Sequence, residues 1–308
     1  MSLGSYPVIG SEMGGNVKRR SRRIALALAA TSMATMMAAP LVSNAGLLGG
    51  GGVAWRTLAE PAPGWYTPEL QREVVAAGPS GVAVPAGVTI PTSSLVFLGI
   101  RPGQLMLLTG ENGTSLCTSN FVFTNGANYF IGTAGHCGEL GDQVTMLYLP
   151  GGLVDIGSVV LSTGDAGIGN DFALVSIKPA LSGDVSPSMA YWGGPTGVYT
   201  GSGPAVVQHA GWGAVIGTGG TPRVGIGVDF SGDDWRFAGA ITPGDSGSAA
   251  NVLGGAAAGN ITHIAVDGGE IPPVFMTGTS IGRILQIASG YQLVTCPSAI
   301  PWPLPGCP

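Results

Sequence analysis

The chain has 308 residues, of which 54 are glycine, 23 are proline and only 9% are charged, with a formal charge of −5. Because 45% of the residues are hydrophobic, the composition excludes a disordered chain, which would combine low hydrophobicity with high net charge. Abundant glycine with few charged helix formers predicts a turn-rich β protein, and the length allows one large domain or two smaller ones.

The first 45 residues have the pattern of an export signal. A basic run at 18–23 precedes an apolar run at 24–39, and Ser43-Asn44-Ala45 supplies the small residues that signal peptidase reads. We therefore predict a signal peptide over 1–45 and a secreted protein, either extracellular or in the cell envelope. The alternative is a membrane anchor, which needs about 20 apolar residues, but the many small residues and Pro40 favour removal.

Removal of that segment makes the chain more acidic. Residues 1–45 hold five of the 12 Lys and Arg but only one of the 17 Asp and Glu, so the mature chain carries a formal charge of −9. A phosphate backbone repels such a surface and the remaining cations are scattered, so we expect no nucleic-acid partner and no stable membrane association. The pair Arg22-Arg23 leaves twin-arginine export open beside the general secretory route.

Residues 46–93 are predicted to be a pro-segment or linker. The glycine run at 49–52 is typical of a flexible chain. Thr67-Pro68-Glu69 then predicts the start of a short helix that ends near Ala77, because a capping hydroxyl, an early proline and an acidic first turn favour helix initiation. Prolines beyond this point interrupt the helical pattern.

Beyond residue 94, short apolar runs alternate with Gly, Pro, Asn or Asp. Each run has the length of a strand, and turn signals bound most of them. Strand after strand without intervening helices indicates an antiparallel sandwich or barrel, which we assign to residues 94–292. The runs are Leu105–Leu108, Phe121–Phe123, Tyr129–Ile131, Val144–Leu149, Ile156–Leu161, Phe172–Ile177, Ala205–Gln208, Gly225–Phe230 and Ile261–Val266.

The chain closes with a helix and a proline-rich tail. Isoleucine and leucine recur with helical spacing between Ser280 and Ala288, which predicts a helix there. The last residues, 293–308, are rich in proline and contain two cysteines. We predict an extended tail closed by a disulfide.

The four cysteines fit an exported, oxidised protein and allow three pairings. The most local pairing joins Cys117 to Cys137 and Cys296 to Cys307. The spacings C-x-x-C and H-x-x-x-H, which zinc sites use, do not occur in the sequence. We therefore predict neither a metal site nor a cofactor.

Three short strings carry a base, a carboxylate and a nucleophile. They are Thr133-Ala134-Gly135-His136-Cys137, Asn170-Asp171-Phe172-Ala173-Leu174 and Pro243-Gly244-Asp245-Ser246-Gly247-Ser248. A serine hydroxyl attacks a carbonyl only when a base takes its proton, and an oriented imidazole is the usual base. The order His, Asp, Ser is that of chymotrypsin-like barrels, whereas subtilisins and α/β-hydrolases use other orders. Asp165 is the nearest competitor for the carboxylate, but it lacks the Phe-Ala-Leu sequence that follows Asp171.

On these three strings the chain resembles the trypsin/chymotrypsin-like serine proteases of bacterial type, over roughly residues 95–290. The resemblance implies an all-β fold of two six-stranded antiparallel barrels with a C-terminal helix. The active site would lie in the cleft between the barrels, with His136 and Asp171 on the first and Ser246 on the second. It also implies a Cys117–Cys137 bridge and a secreted endopeptidase that acts on proteins or peptides through an acyl-enzyme.

The resemblance assigns roles to the residues around the serine. Gly244 and Ser246 would donate backbone N–H groups to the oxyanion of the tetrahedral intermediate. Asp245 would be a buried carboxylate that needs a cationic partner, for which we predict Arg223. Ser248 departs from the family string, which has a second glycine at this position.

Specificity is predicted from residues near the expected pocket. Ala240 stands six residues before the serine, where trypsins carry an aspartate, so cleavage after Lys or Arg is not expected. Val266 and Gly268 are predicted to form the pocket wall and to pair with the substrate backbone, which favours a medium apolar side chain. His263 would be a half-buried strand residue, or alternatively a reader of acidic side chains, and His209 a structural residue.

The sequence leaves two other classes of protein to consider. Gly278-Thr279-Ser280-Ile281-Gly282 matches the nucleophile elbow of α/β-hydrolases, but their histidine follows the serine, and all three histidines of this chain precede Ser280. The second alternative is a catalytically silent secreted or cell-envelope binding protein on the same fold. The prediction is a monomeric serine endopeptidase.

Overall fold

A computed structural model describes the chain in six stretches, which are 54–58, 60–88, 99–148, 152–213, 220–266 and 275–296. The predicted signal peptide, residues 1–45, lies outside them. So do most of the predicted tail, 293–308, and part of the predicted pro-segment, 46–93.

The first half of the described chain, together with β17 from its C-terminal end, forms a 9-stranded sheet that closes into a barrel. Its strands are β2 (Glu60–Pro61), β3 (Leu105–Gly110), β4 (Gly113–Thr118), β5 (Val122–Thr124), β6 (Tyr129–Thr133), β7 (Gln143–Tyr148), β8 (Gly152–Ser162), β9 (Ala173–Ser176) and β17 (Gln292–Leu293). Asn120, which lies between β4 and β5, extends the pairing of β5 with β6, since its N–H donates to the carbonyl of Gly132 in β6 at 2.7 Å. Strands β4 and β5 thus act as one strand, which pairs with β3 at its start and with β6 at its end. From β6 the ring continues through β9, β8 and β7 and returns to β3, which gives the expected six strands.

The second half forms an 8-stranded sheet. Its strands are β1 (Ala54–Thr57), β10 (Ala205–Gly211), β11 (Thr221–Asp229), β12 (Asp234–Ala238), β13 (Ala249–Val252), β14 (Ala257–Asn260), β15 (His263–Val266) and β16 (Phe275–Thr279). A bridge between Gly259 and Ser280 joins the end of β14 to the residue after β16, which closes the ring. All strand pairs of both sheets are antiparallel. The predicted fold class is confirmed.

Each barrel encloses its own apolar core. Met106, Val144 and Val175 are fully buried in the first, and Val207 and Met276 in the second. Closure removes exposed sheet edges, and the pleat directs alternate side chains inward. The connection 177–204 carries the chain from one barrel to the other.

Both predicted helices are confirmed. Helix α1 (Pro68–Ala77) begins after Thr67, whose Oγ1 accepts from the N–H of Leu70 at 3.3 Å, and it buries Leu70 and Val74 beside the first barrel. Helix α2 (Ile281–Ile287) is capped by Ser280. Within the described residues, no helix is long and apolar enough to cross a membrane.

Two predicted segments contribute strands to the sheets. The described part of 46–93 supplies β1 to one sheet and β2 to the other, so it packs on both barrels. The predicted tail boundary at residue 293 falls inside β17, which pairs with β5. The antiparallel ladder therefore extends a little beyond the predicted domain.

His209 lies in β10 with no exposed surface, as expected of a structural residue, and its ring stands edge-on to Phe237 at 5.6 Å. Burial, and then the charge of Arg223, lower the pKa of His209 from 6.5 to about 3. The unfolded chain therefore takes up a proton below pH 6.5 that the folded chain rejects until about pH 3.

We expect stability to fall across this window as the pH drops, by up to about 1.4 kcal/mol per pH unit from this group. His209→Gln, which cannot charge, should flatten that slope. Urea unfolding between pH 6 and about pH 4 measures the slope of stability against pH in both chains, each of which also carries Ser246→Ala. Equal slopes would show that His209 does not govern acid stability.

Candidate active site

The three predicted side chains, remote in sequence, lie in one hydrogen-bonded line. His136 Nδ1 is 2.6 Å from Asp171 Oδ2, and His136 Nε2 is 2.7 Å from Ser246 Oγ. The backbone N–H of His136 donates to Asp171 Oδ1 at 3.0 Å, so the same carboxylate holds both the ring and the main chain. With Nδ1–H donating to the carboxylate, Nε2 is free to accept the serine proton.

The scaffold explains how these residues meet. His136 lies in the helical turn Gly135–Cys137 after β6, Asp171 precedes β9, and Ser246 lies between β12 and β13. The first two belong to one barrel and the serine to the other, as the resemblance implied. The line therefore spans the cleft between the barrels.

Two residues of the second barrel fix Asp171. Asn260 Nδ2 donates to the carbonyl of Asp171 at 3.0 Å. Thr279 Oγ1 accepts from the N–H of Asp171 at 3.0 Å and donates to its carbonyl at 3.1 Å. Neither Asn260 nor Thr279 stands in a recognisable motif, so the sequence held no signal for them.

The loop around the serine needs glycine at two positions. Gly244 has φ +97° and Gly247 has φ +90°, both in the left-handed region. A Cβ on Gly244 would lie 2.6 Å from the carbonyl oxygen of Trp212, and one on Gly247 would lie 2.3 Å from that of Thr118. Side chains here would push the serine loop away from the histidine.

Asp245 anchors the serine loop through its buried carboxylate. Its carboxylate pairs with Arg223, as predicted, and accepts from the backbone N–H groups of Gly213 and Thr242 at 2.9 Å each. Burial raises the pKa of Asp245, and the charge of Arg223 opposes that effect. Ser248 Oγ donates to the carbonyl of Asp245, so the hydroxyl that departs from the family string is used within the loop.

Thr118 is a site residue that the sequence analysis missed. Its Oγ1 donates to the carbonyl of Gly244 at 2.8 Å and accepts from the N–H of Trp212 at 3.0 Å. Its N–H donates to the carbonyl of Ser246 at 2.7 Å. Thr118 thus couples the first barrel to the serine loop, and its position beside Cys117 is the one sequence feature that could have pointed to it.

The Cys117–Cys137 disulfide is confirmed, and it ties β4 to the turn that carries His136. Its sulfurs are therefore not thiolate ligands for a metal. The other predicted bridge cannot be traced here, because Cys307 lies outside the described residues.

The residues predicted for specificity are only partly described. Ala240 is exposed, and its carbonyl lies 3.5 Å from Arg223 Nη1. Val266 ends β15, where it pairs with Ala54 of β1, and Gly268 lies outside the described residues. Their part in substrate binding stays a prediction.

His263 is more deeply buried than expected, with 4% of its surface exposed. Its Nδ1 lies 2.8 Å from Thr262 Oγ1 and 3.8 Å from Asp171 Oδ2, and its Nε2 lies 3.5 Å from Asp165. His263, Asp165 and Asp171 place three ligand-type atoms within 4.8 Å of one another, although Asp171 already receives two hydrogen bonds from His136. His263 and Asp165 therefore lie beside the hydrogen-bonded line of Asp171, His136 and Ser246 and are not part of it.

A segment of the chain's own N-terminal part covers the site. β1 pairs antiparallel with β15, and the N–H of Leu58 then donates to the carbonyl of Thr262 at 3.1 Å. The carbonyl oxygen of Leu58 accepts from the N–H of Gly244 at 3.1 Å. Ser246 has no exposed surface beneath it.

Two antiparallel barrels with a C-terminal helix are the chymotrypsin-like fold class. The chain matches no family model, and no curated protein sequence matches it. Solved structures to which it is similar include Protease A of Thermobifida fusca, at 22% identity over 64% of this chain and 98% of that chain, with a TM-score of 0.45.

Two further structures show a comparable likeness. The chymotrypsin of Cellulomonas bogoriensis is 18% identical over 64% of this chain and all of that chain, with a TM-score of 0.45. A serine protease specific for glutamic acid is 17% identical over 63% of this chain and all of that chain, with a TM-score of 0.47. With identities of 17–22% and TM-scores of 0.45–0.47, this likeness carries no argument about function, which is argued below from the residues of this chain.

Proposed function

We propose that this chain is a secreted serine endopeptidase that hydrolyses peptide bonds through an acyl-enzyme. The observation that carries the proposal is the line from Asp171 through His136 to Ser246, with both contacts of the imidazole at 2.7 Å or less. Histidine takes the serine proton during attack and returns it to the leaving amine, and the carboxylate keeps the ring in the tautomer that allows this.

The backbone N–H of Gly244 would stabilise the oxyanion, together with that of Ser246. In support, the Gly244 N–H already donates to a peptide carbonyl oxygen. Removal of one such donor costs about 3 kcal/mol of transition-state stabilisation in enzymes of this chemistry. The anchoring of Asp245 by Arg223 keeps these donors in place before substrate arrives.

We further propose cleavage after a medium apolar residue. Ala240 supplies no charge for a basic substrate side chain. Ile261 and Ile264 belong to the apolar core of the second barrel, and the backbone of Ile261 hydrogen-bonds to Gly247 and Ser248 beside the serine. Exposed Asp165 is one of two acidic groups near His263, the other being Asp171. These neighbours disfavour the alternative in which His263 reads an acidic side chain, because like charges repel.

Labelling by a fluorophosphonate probe tests the proposed function. The purified protein should be labelled and should hydrolyse peptides after leucine or a similar residue, whereas Ser246→Ala should do neither. Ser231→Ala is the matched control, because this exposed serine only hydrogen-bonds to Asp229 in a turn. A folded protein that is never labelled would favour the silent binding protein instead.

A further inference from the structure

Residues 54–58 and 60–61 lie on the two sides of the serine in the manner of a bound substrate. β1 adds a strand to β15, with Arg56 opposite Ile264 and Thr57 opposite His263. On the other side of the serine, β2 pairs with β4, with Glu60 opposite Leu116. The segment therefore engages the second barrel before Leu58 and the first barrel after it, as a peptide must to lie across both.

Leu58 occupies the position of the residue whose carbonyl is attacked. Its carbonyl oxygen accepts from Gly244, the N–H that the proposed function assigns to the oxyanion. Its side chain has no exposed surface and belongs to the apolar cluster of the second barrel that includes Ile261 and Ile264. In contrast, the side chain of Arg56, two residues earlier, is exposed to solvent.

This placement also explains the burial of the reactive group. A hydrolase serine must be reached by substrate, yet Ser246 and Asp171 have no exposed surface and His136 exposes only 5% of its side chain. The chain's own segment takes the place that a substrate would occupy. Removal of that segment would open the site.

We infer that Leu58–Ala59 is a self-processing site, at which the protein cleaves its own chain within the same molecule. The inference rests on the proposed function. Ser246 Oγ attacks the carbonyl carbon of Leu58 and gives its proton to His136 Nε2. The bond to the nitrogen of Ala59 breaks as that nitrogen takes the proton, and water then hydrolyses the leucyl ester, which frees the serine and a carboxylate on Leu58. The new N-terminus is Ala59.

The cut would divide the predicted pro-segment, 46–93, at a defined bond. The part before Ala59 holds β1, which pairs only with β15, the strand beside the serine. The part after it keeps β2 and helix α1, which pack on the first barrel. Cleavage therefore releases the strand that blocks the cleft and retains the part that belongs to the core.

Intact mass and N-terminal sequencing of the purified full chain during incubation test this inference. We expect a new N-terminus at Ala59, with a first-order rate constant that does not change on dilution, and no cut in Ser246→Ala. Active protein added to Ser246→Ala should leave its Leu58–Ala59 bond intact, because that bond starts at a buried residue. Efficient cutting of Ser246→Ala by added enzyme would overturn processing within the molecule.

Leu58→Asp separates this inference from the proposed function. A carboxylate is not accepted in an apolar cluster, so residue 58 should leave the cleft in this variant. The cut should then slow by about 100-fold or more, and the fluorophosphonate should label Ser246 because the segment no longer covers it. Leu253→Asp is the matched control, since that leucine is 64% exposed, and it should be cut like the native chain. If Leu58→Asp does not fold, Ala59→Pro tests the same bond and leaves the buried leucine in place.

The outcomes are distinguishable. A native chain that is labelled and hydrolyses peptides but keeps residue 58 joined to residue 59 refutes self-processing and leaves the protease function standing. A native chain and a Leu58→Asp chain that both fold and are never labelled refute the protease function, and self-processing with it.

Discussion

Replacement of Asp171 by asparagine is expected to lower kcat for peptide hydrolysis about 10⁴-fold, with little change in KM. The carboxylate accepts two hydrogen bonds from His136, one from the ring and one from the backbone. An amide in its place can donate to Nδ1, which puts the ring proton on Nε2, where it faces Ser246. That tautomer cannot take the serine proton, so the base is lost although the site keeps its shape.

Asp165→Asn is the matched control for this variant. Asp165 is the other aspartate in the region, but its side chain is 55% exposed and its Oδ1 lies 3.5 Å from His263 Nε2. Its kcat should stay within a few-fold of the native value, since screened surface charges contribute little. Steady-state kinetics on one leucine peptide measures kcat for both variants, and circular dichroism shows that both are folded. Similar losses in both variants, or a small loss in Asp171→Asn, would remove Asp171 from the proposed mechanism.

The sequence predicted the parts of this molecule that depend on local chemistry. Both helices could be located because a capping hydroxyl and apolar spacing act within one or two turns. Apolar strands such as β3 and β7 stood out by composition. The hydroxyl, imidazole and carboxylate of the proposed site could be named because their strings carry glycines and small residues at fixed offsets.

What the sequence did not reveal depends on contacts between distant residues. Strands β13 and β14 were missed because Ala249–Val252 and Ala257–Asn260 are short and consist mainly of small or polar residues, which become strands by packing inside the barrel. Thr118 and Thr279 act through hydrogen bonds to residues more than 90 positions away. The pairing of residues 54–57 with β15 and of residues 60–61 with β4 was hidden for the same reason, because no local pattern marks a segment as the partner of those strands.

Arg223→Met is expected to lower the free energy of unfolding by about 3–5 kcal/mol, because it leaves a buried carboxylate without its cation. Asp245 has no exposed surface, and both of its oxygens face Arg223. Two backbone N–H groups remain, which is too little to compensate a full charge removed from water. The serine loop should shift as well, so kcat should fall together with stability. Urea unfolding in the Ser246→Ala background, which prevents self-digestion, measures the stability term.

The double variant Arg223→Met with Asp245→Asn identifies the cause. If an unpaired charge is responsible, the neutral amide should restore most of the lost stability, whereas a loss due to missing packing around Arg223 would persist. Arg236→Met is the surface control, since Arg236 lies 3.6 Å from Asp234 with a side chain that is 55% exposed, and it should cost less than about 1 kcal/mol. Equal effects of Arg223→Met and Arg236→Met would show that the buried pair does not hold the serine loop. The expected result is that the double variant recovers the stability lost in Arg223→Met, while its kcat, measured in the chain that retains Ser246, stays low. That result would show that Arg223 supports the serine loop through Asp245.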